Sequence, residues 1–239
     1  MSNNYFKFKQ FTIFQDNCAM KVGTDGCLLG GWFNCNGSRN ILDVGCGSGL
    51  ISIMAAQRCS ADITGIEIEA DAAAQARLNA GNCPWKERIS IIECNFLEYG
   101  TEQLFDTIVS NPPYFVNSLK CDNGARTTAR HSDTLGSTAF FKKASELLTP
   151  DGHISIIIPC DILQEWLQAA SEQGFAPSRI SYIKTTPRKA AKRVMIEFMH
   201  DTQAGNIAGT EETLILESSP GTYSDGAKEI LRDFYLKIE

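Results

Sequence analysis

The chain lacks several things, and each lack excludes a class of function. No stretch of its 239 residues reaches the roughly 18 consecutive apolar residues that a membrane span requires. The opening MSNNYFKFKQ has no unbroken apolar segment of the export-signal kind, so a soluble, cytoplasmic protein is expected. The nine cysteines (Cys18, Cys27, Cys35, Cys46, Cys59, Cys83, Cys94, Cys121 and Cys160) include no Cys-x-x-Cys pair and no neighbouring His cluster, which argues against a metal site. In a reducing compartment such residues serve as small buried hydrophobes. Internal repeats and low-complexity tracts are missing too. Acidic side chains are absent from one long stretch. Between Gln173 and Ile196 there is no Asp or Glu, while Arg179, Lys184, Arg188, Lys189, Lys192 and Arg193 supply six cations. The net charge of −6 disfavours a nucleic-acid binder taken globally, but this segregation predicts one cationic face on an acidic body.

What is present is enough apolar material, 43% of residues, for one core and one domain. The expected layout is a single domain over 1–239: an N-terminal strand and helix extension (1–35), a core (36–200) and a C-terminal strand and helix (201–239). FKFKQFTIFQ alternates Phe6 and Phe8 with Lys7 and Lys9, then shifts phase through Phe11, Ile13 and Phe14, as a half-buried strand or hairpin does. A short helix is expected from Asp25 to Phe33, weakened by Gly26, Gly30 and Gly31. From Asn40 onward short apolar runs alternate with helical stretches, which implies βαβ crossovers and a parallel sheet. Asp161 is the expected N-cap of the helix carrying Trp166. ISYIK, RVMIEF and TLILES read as strands with no helix between the last two, predicting an antiparallel strand at the sheet edge.

DVGCGSGL, Asp43 to Leu50, sits between the first parallel strand and its helix, where a ligand meets free backbone N–H groups. Gly45, Gly47 and Gly49 give G-x-G-x-G, whereas a dinucleotide fingerprint wants its third glycine where Leu50 stands; a nicotinamide oxidoreductase is therefore disfavoured. Asp43 can accept from an ammonium group, which the amino-acid tail of S-adenosylmethionine possesses and a pyrophosphate lacks. Glu67, about twenty residues further on, is placed to accept from ribose hydroxyls.

SNPPYF, Ser110 to Phe115, ends another strand in two prolines and two aromatics around one carboxamide. The Asn111 oxygen accepts one hydrogen bond, and the carbonyls of Pro112 and Pro113 supply another acceptor. Two acceptors side by side suit a planar NH₂ group, and they favour the localised lone pair that a ring amine needs to attack a sulfonium methyl. Tyr114 offers a face for a flipped base and Phe115 walls the pocket.

DVGCGSG, GIEIE and SNPPY together resemble the Rossmann-like, class I S-adenosylmethionine-dependent methyltransferases acting on amino groups, over roughly Gly23 to His200. The fold class this implies is α/β: a seven-stranded, mostly parallel sheet with an antiparallel edge strand and helices on both faces. KVGTDGCLLGGW, NPPYF, ARH at Ala129 to His131 and PRKAAKRVMIEF are similar to the bacterial tRNA(Val) adenine-N6 methyltransferases within that family, whose target is the adenosine immediately 3′ of the anticodon. The resemblance implies that Asn95, in place of the usual aspartate, accepts from the cofactor's adenine amine and that Phe96 packs on that ring. It also implies that Lys21, Thr24 and Asp25 line the cofactor pocket. Arg126, Arg130 and His131 would lie in a substrate-facing lid, with His131 as an RNA contact or loop anchor and not a base. Lys184, Arg188, Lys189, Lys192 and Arg193 would grip phosphates of the anticodon stem-loop of a tRNA, the partner of a monomer working without a metal. Other acceptors share the chemistry: a protein glutamine amide, as in enzymes that carry a helical domain before the glycine loop, or DNA adenine, as in enzymes with an added target-recognition region. A non-catalytic RNA-binding module is the remaining alternative.

Overall fold

The computed structural model describes residues 4–16, 20–113, 135–204 and 209–238. The opening segment folds as a hairpin in which β1 (Tyr5–Lys7) pairs antiparallel with β2 (Thr12–Phe14), Phe6 opposite Ile13. Phe8, Phe11 and Ile13 turn inward, the first two stacked with ring centroids 4.5 Å apart. Helix α1 (Thr24–Trp32) forms despite its glycines, because they permit close approach to neighbours. A Cβ on Gly31 would sit 2.5 Å from the Ile230 carbonyl oxygen, and one on Gly30 2.6 Å from Met54 Sδ.

Strands and helices then alternate as the periodicity predicts. The series runs β3 (Asn40–Val44), α2 (Leu50–Arg58), β4 (Asp62–Glu67), α3 (Ala70–Gly81), β5 (Ile89–Glu93) and β6 (Phe105–Ser110). After residue 135 come α4 (Ser137–Leu147), β7 (Leu148–Pro159), α5 (Leu163–Glu172), β8 (Phe175–Lys184) and β9 (Arg193–His200). A short helix α6 (Asp201–Ala204), strand β10 (Thr210–Ile215), a small hairpin of β11 (Glu217–Ser219) with β12 (Thr222–Tyr223), and α7 (Asp225–Leu231) complete the described chain.

The central sheet has the order β10-β8-β9-β7-β6-β3-β4-β5. Two sequence expectations are corrected here. The sheet has eight strands, not seven, and the antiparallel strand is not at the edge: β9 lies between β7 and β8, antiparallel to both, while the edge strand β10 runs parallel to β8. β9 returns directly from β8 and must reverse direction, so His200 finishes level with Phe175 at the starting end of β8; β10, on the far side of β8, begins near that same end and so runs parallel to β8. The sheet therefore extends past residue 200, beyond the expected core boundary. Asp161 is not an N-cap either; it falls within a single 3₁₀ turn, Cys160–Ile162, and Ile162 precedes α5 with no side-chain cap.

Side chains alternate across the strands, as a sheet covered on both faces requires. Ile41 of β3 joins a cluster with Phe8, Leu28, Met54 and Phe234, and its neighbour Leu42 joins the opposite cluster with Phe140, Phe141, Trp166 and Phe198. Helices α1, α2 and α7 cover the first face, α4 and α5 the second. Cys27, Cys35, Cys46 and Cys83 are buried free thiols as expected, but Cys59, Cys94 and Cys160 are only half-buried, and Cys18 and Cys121 lie outside the described residues.

Candidate active site

The chain runs outward from β3 through β4 to β5, then returns to β6 on the other side of β3. The carboxyl ends of β3 and β6 thus flank a topological switch point, the place where open α/β sheets bind ligands. Strand register puts Val44 level with Ile66 and Ser110, so the next residues, Gly45, Glu67 and Asn111, stand in one row along this edge. Ser110 Oγ donates to the Val44 carbonyl at 2.8 Å and ties the two strand ends together.

The glycine loop is built on left-handed backbone: φ is +70° at Gly45, +55° at Gly47 and +80° at Gly49, values that side chains other than hydrogen resist. A Cβ on Gly45 or Gly47 would meet nothing within 4 Å, so these two glycines border open space on the ligand side. The N–H groups of Gly45 and Cys46 donate to the Ile66 carbonyl at 2.8 and 2.9 Å, anchoring the loop to the end of β4.

Beneath the loop Asp43 has no exposed surface. Its Oδ2 accepts from Ser52 Oγ at 2.6 Å, while Oδ1 has no partner among the described residues. Burial pushes its pKa up to about 7, opposed by the Ser52 hydrogen bonds and assisted by the negative Glu67. A buried carboxylate oxygen without a donor fits a ligand that brings one, and an ammonium group meets that need, so these residues suit S-adenosylmethionine.

Glu67 does more than the ribose reading anticipates. Its Oε2 accepts from Gly47 N at 2.8 Å, and its Oε1 from Ile68 N at 2.9 Å and Glu69 N at 3.0 Å. The carboxylate clamps the glycine loop to the start of α3, leaving about one of its four acceptor positions for a hydroxyl. Asn95 likewise caps a 3₁₀ turn, its Oδ1 accepting from Leu97 N at 3.0 Å. Phe96 is not at the ligand surface: it is buried, 5.6 Å ring to ring from Phe140 in the second core cluster. The exposed apolar groups beside it are Ile68, 60% exposed, and Leu97, 42% exposed. The sequence reading named neither; the signal available for Ile68 was an isoleucine directly after the acidic strand end, in GIEIE.

Asn111 is half-buried, Pro112 buried and Pro113 exposed. The first turn of α1 lies beside Asn111, where a Cβ added to Gly26 would come 4.0 Å from Asn111 Nδ2. Lys21 and Thr24 are exposed and Asp25 half-buried at this same turn. Tyr114, Phe115, Arg126, Arg130 and His131 lie outside the described residues.

The cationic stretch divides. β8 ends at Lys184 and β9 begins at Arg193, so the loop between them emerges on the carboxyl edge, the edge that carries Gly45 and Asn111. Arg188, Lys189 and Lys192 are exposed there and Lys184 half-buried. Arg179 does not belong to this face. It sits mid-strand, its guanidinium 3.7 Å from the Trp32 ring centroid, bonded to the Trp32 carbonyl at 2.9 Å and paired with Glu197 at 3.4 Å. Arg193 is paired with Asp25 at 2.8 Å.

Comparison with known proteins bears on this arrangement. Residues 22–167 match the family model described as the methyltransferase small domain. A protein named tRNA1(Val) (adenine(37)-N6)-methyltransferase from Phocaeicola vulgatus is 44% identical over 238 residues, all of both chains, and one of that name from Vibrio campbellii is 38% identical over 98% of this chain and 96% of its own. Among solved structures, a predicted O-methyltransferase from Agrobacterium tumefaciens shares the fold at TM-score 0.70 and 19% identity, covering 88% of this chain and 96% of its own. The glycopeptide N-methyltransferase MtfA complexed with S-adenosylmethionine does so at TM-score 0.55 and 12% identity, covering 75% of this chain and all of its own. A Rossmann-like sheet, a glycine loop at its switch point and full-length identity of this order lead to one conclusion: the chain belongs to the tRNA1(Val) (adenine(37)-N6)-methyltransferase family.

Proposed function

We propose that this chain transfers the methyl group of S-adenosylmethionine to the N6 amine of adenosine 37 in tRNA1(Val), acting as a monomer in the cytoplasm without a metal ion. The family relationship carries the reaction class, and the row formed by Gly45, Glu67 and Asn111 is the observation that supports it in this chain. Bound at the glycine loop, the cofactor supplies an electrophilic sulfonium methyl. Asp43 Oδ1 would receive its ammonium group, the loop backbone and Glu67 would orient its sugar, and Ile68 and Leu97 would shield its base.

On the other side Asn111 Oδ1 and the Pro112 carbonyl accept from the two hydrogens of the target amine. Holding both hydrogens draws lone-pair density away from the ring and toward the methyl, and a fixed approach within about 3–3.5 Å converts an encounter into an intramolecular step. The amine nitrogen gains the methyl as its bond to the cofactor sulfur breaks, leaving a neutral thioether, and the methylated nitrogen is then acidic enough to lose its proton to water without a dedicated base. The exposed cations of the loop after β8 meet phosphates of the anticodon stem-loop, whose unpaired bases are turned out at less cost than stacked duplex bases.

The test uses purified protein, cofactor labelled in its methyl group, and tRNA1(Val) transcripts with A or G at position 37. Label is expected only in the A transcript. Asn111→Ala should lower the transfer rate by about 10²–10³, the scale of losing one oriented polar contact to the reacting group, with cofactor affinity by calorimetry nearly unchanged. Label in a protein glutamine, or undiminished transfer by Asn111→Ala, would overturn the reading.

A further inference from the structure

Arg193 opens β9 at the foot of the cationic loop, and its Nε donates to Asp25 Oδ2 at 2.8 Å. The partners are 168 positions apart in sequence, and their side chains are only 31% and 29% exposed. Arg193 is a rigid anchor because its backbone is held from both sides, level with Pro159 of β7 and Ile183 of β8. Asp25 is in the first turn of α1, a helix start whose N-cap, Gly23, has no side chain to cap with. That turn depends on outside ties for its position. Such ties include Gln15 Oε1, which accepts from Val22 N at 2.8 Å, and the ion pair.

What the turn touches gives the pair its meaning. A Cβ on Gly26, the residue after Asp25, would lie 3.1 Å from Leu50 Cδ2 at the start of α2 and 4.0 Å from Asn111 Nδ2. The first turn of α1 is therefore wedged between the helix that follows the glycine loop and the carboxamide that faces the amine.

We infer that Arg193 is a positioning residue: through Asp25 it holds the first turn of α1 against Asn111 and sets the cationic loop and the reacting site in one frame. It is thereby removed from the phosphate-binding set, since a guanidinium already matched by a carboxylate releases few counterions when RNA arrives. The inference rests on the RNA methyltransferase reading.

The experiment compares Arg188→Ala, Lys192→Ala, Arg193→Ala, Arg193→Lys, Asp25→Asn and the double variant Asp25→Asn/Arg193→Ala. The readouts are the salt dependence of tRNA binding and single-turnover methyl transfer at saturating tRNA and cofactor. Arg188→Ala and Lys192→Ala should each flatten the log–log salt slope by about 0.7–0.9, the loss of one phosphate contact. Arg193→Ala should keep the wild-type slope and slow the transfer step about tenfold or more. Asp25→Asn should match it, the double variant should be no slower than either single, and Arg193→Lys should recover most of the rate. Thermal melts identify any variant that fails to fold, in which case Arg193→Lys and Asp25→Asn carry the comparison. A slope reduced as in Lys192→Ala with transfer at saturation intact, or additive losses in the double variant, would overturn the assignment. Wild-type protein that puts no methyl on tRNA would instead sink the underlying reading and the inference with it, a failure seen before any variant is compared.

Discussion

Asp43 is a carboxyl group with no exposed surface. With its carboxyl pushed up to about 7 by burial, the folded chain holds a proton that the unfolded chain releases near the ordinary value of 3.8. The sign follows from linkage: folding is favoured below about pH 4, and that contribution is lost as pH rises through 7, an effect of ~4 kcal/mol at most. Asp43→Asn removes the ionisation and should raise the melting temperature at pH 8 while changing it little at pH 4. The same variant should weaken S-adenosylmethionine binding about tenfold or more at pH 8, because an amide cannot match the ammonium charge; calorimetry alongside the melts checks both. The places of Asp43 beside the glycine loop and of Glu67 at the end of the next strand were legible in the sequence, because loop and strand spacing act locally; that Glu67 clamps the loop through Gly47 N was not. The burial of Phe96 and the exposure of Leu97 were not, because which of two adjacent apolar residues turns inward depends on whether a core residue such as Phe140 has claimed it.

Helix α1 illustrates what decides at the scale of an element. Propensity alone counts Gly30 and Gly31 as equal weaknesses, each costing about 1 kcal/mol against alanine. Their neighbours separate them. At Gly30 a new methyl meets the flexible thioether of Met54, which can swing aside, whereas at Gly31 it meets the Ile230 backbone, which α7 holds in place. Gly30→Ala is expected to leave stability within ~1 kcal/mol of wild type, and Gly31→Ala to cost ~1–3 kcal/mol by prising α1 from α7; urea denaturation distinguishes the two. The cationic stretch teaches the same lesson. Its cations were countable from sequence, but only pairing across the fold shows that Arg179 belongs to Trp32 and Glu197 and Arg193 to Asp25.

At the scale of the whole molecule the two ends of the chain close on each other. Lys9 N donates to the Phe234 carbonyl at 2.8 Å, and Phe234, 2% exposed, shares a cluster with Phe8 and Met54. This contact ties the opening hairpin and the last helix into one core cluster. Phe234→Ala should cost ~3–5 kcal/mol and lower the midpoint seen by tryptophan fluorescence and by far-ultraviolet circular dichroism equally, since Trp32 reports on one core cluster and Trp166 on the other. Separate transitions would show that the terminal segments are a unit of their own. Most strands and helices, the switch point and the glycine loop follow from the sequence by itself, because period, turn chemistry and loop spacing act over a few residues. The joining of β10 to the sheet as its eighth strand, the inward placement of β9 and the pairing of individual cations were decided only by tertiary structure. Each depends on which segments meet in space, from β10 beside β8 some 31 positions away to Arg193 beside Asp25 168 positions away, and local pattern contains no term for that encounter.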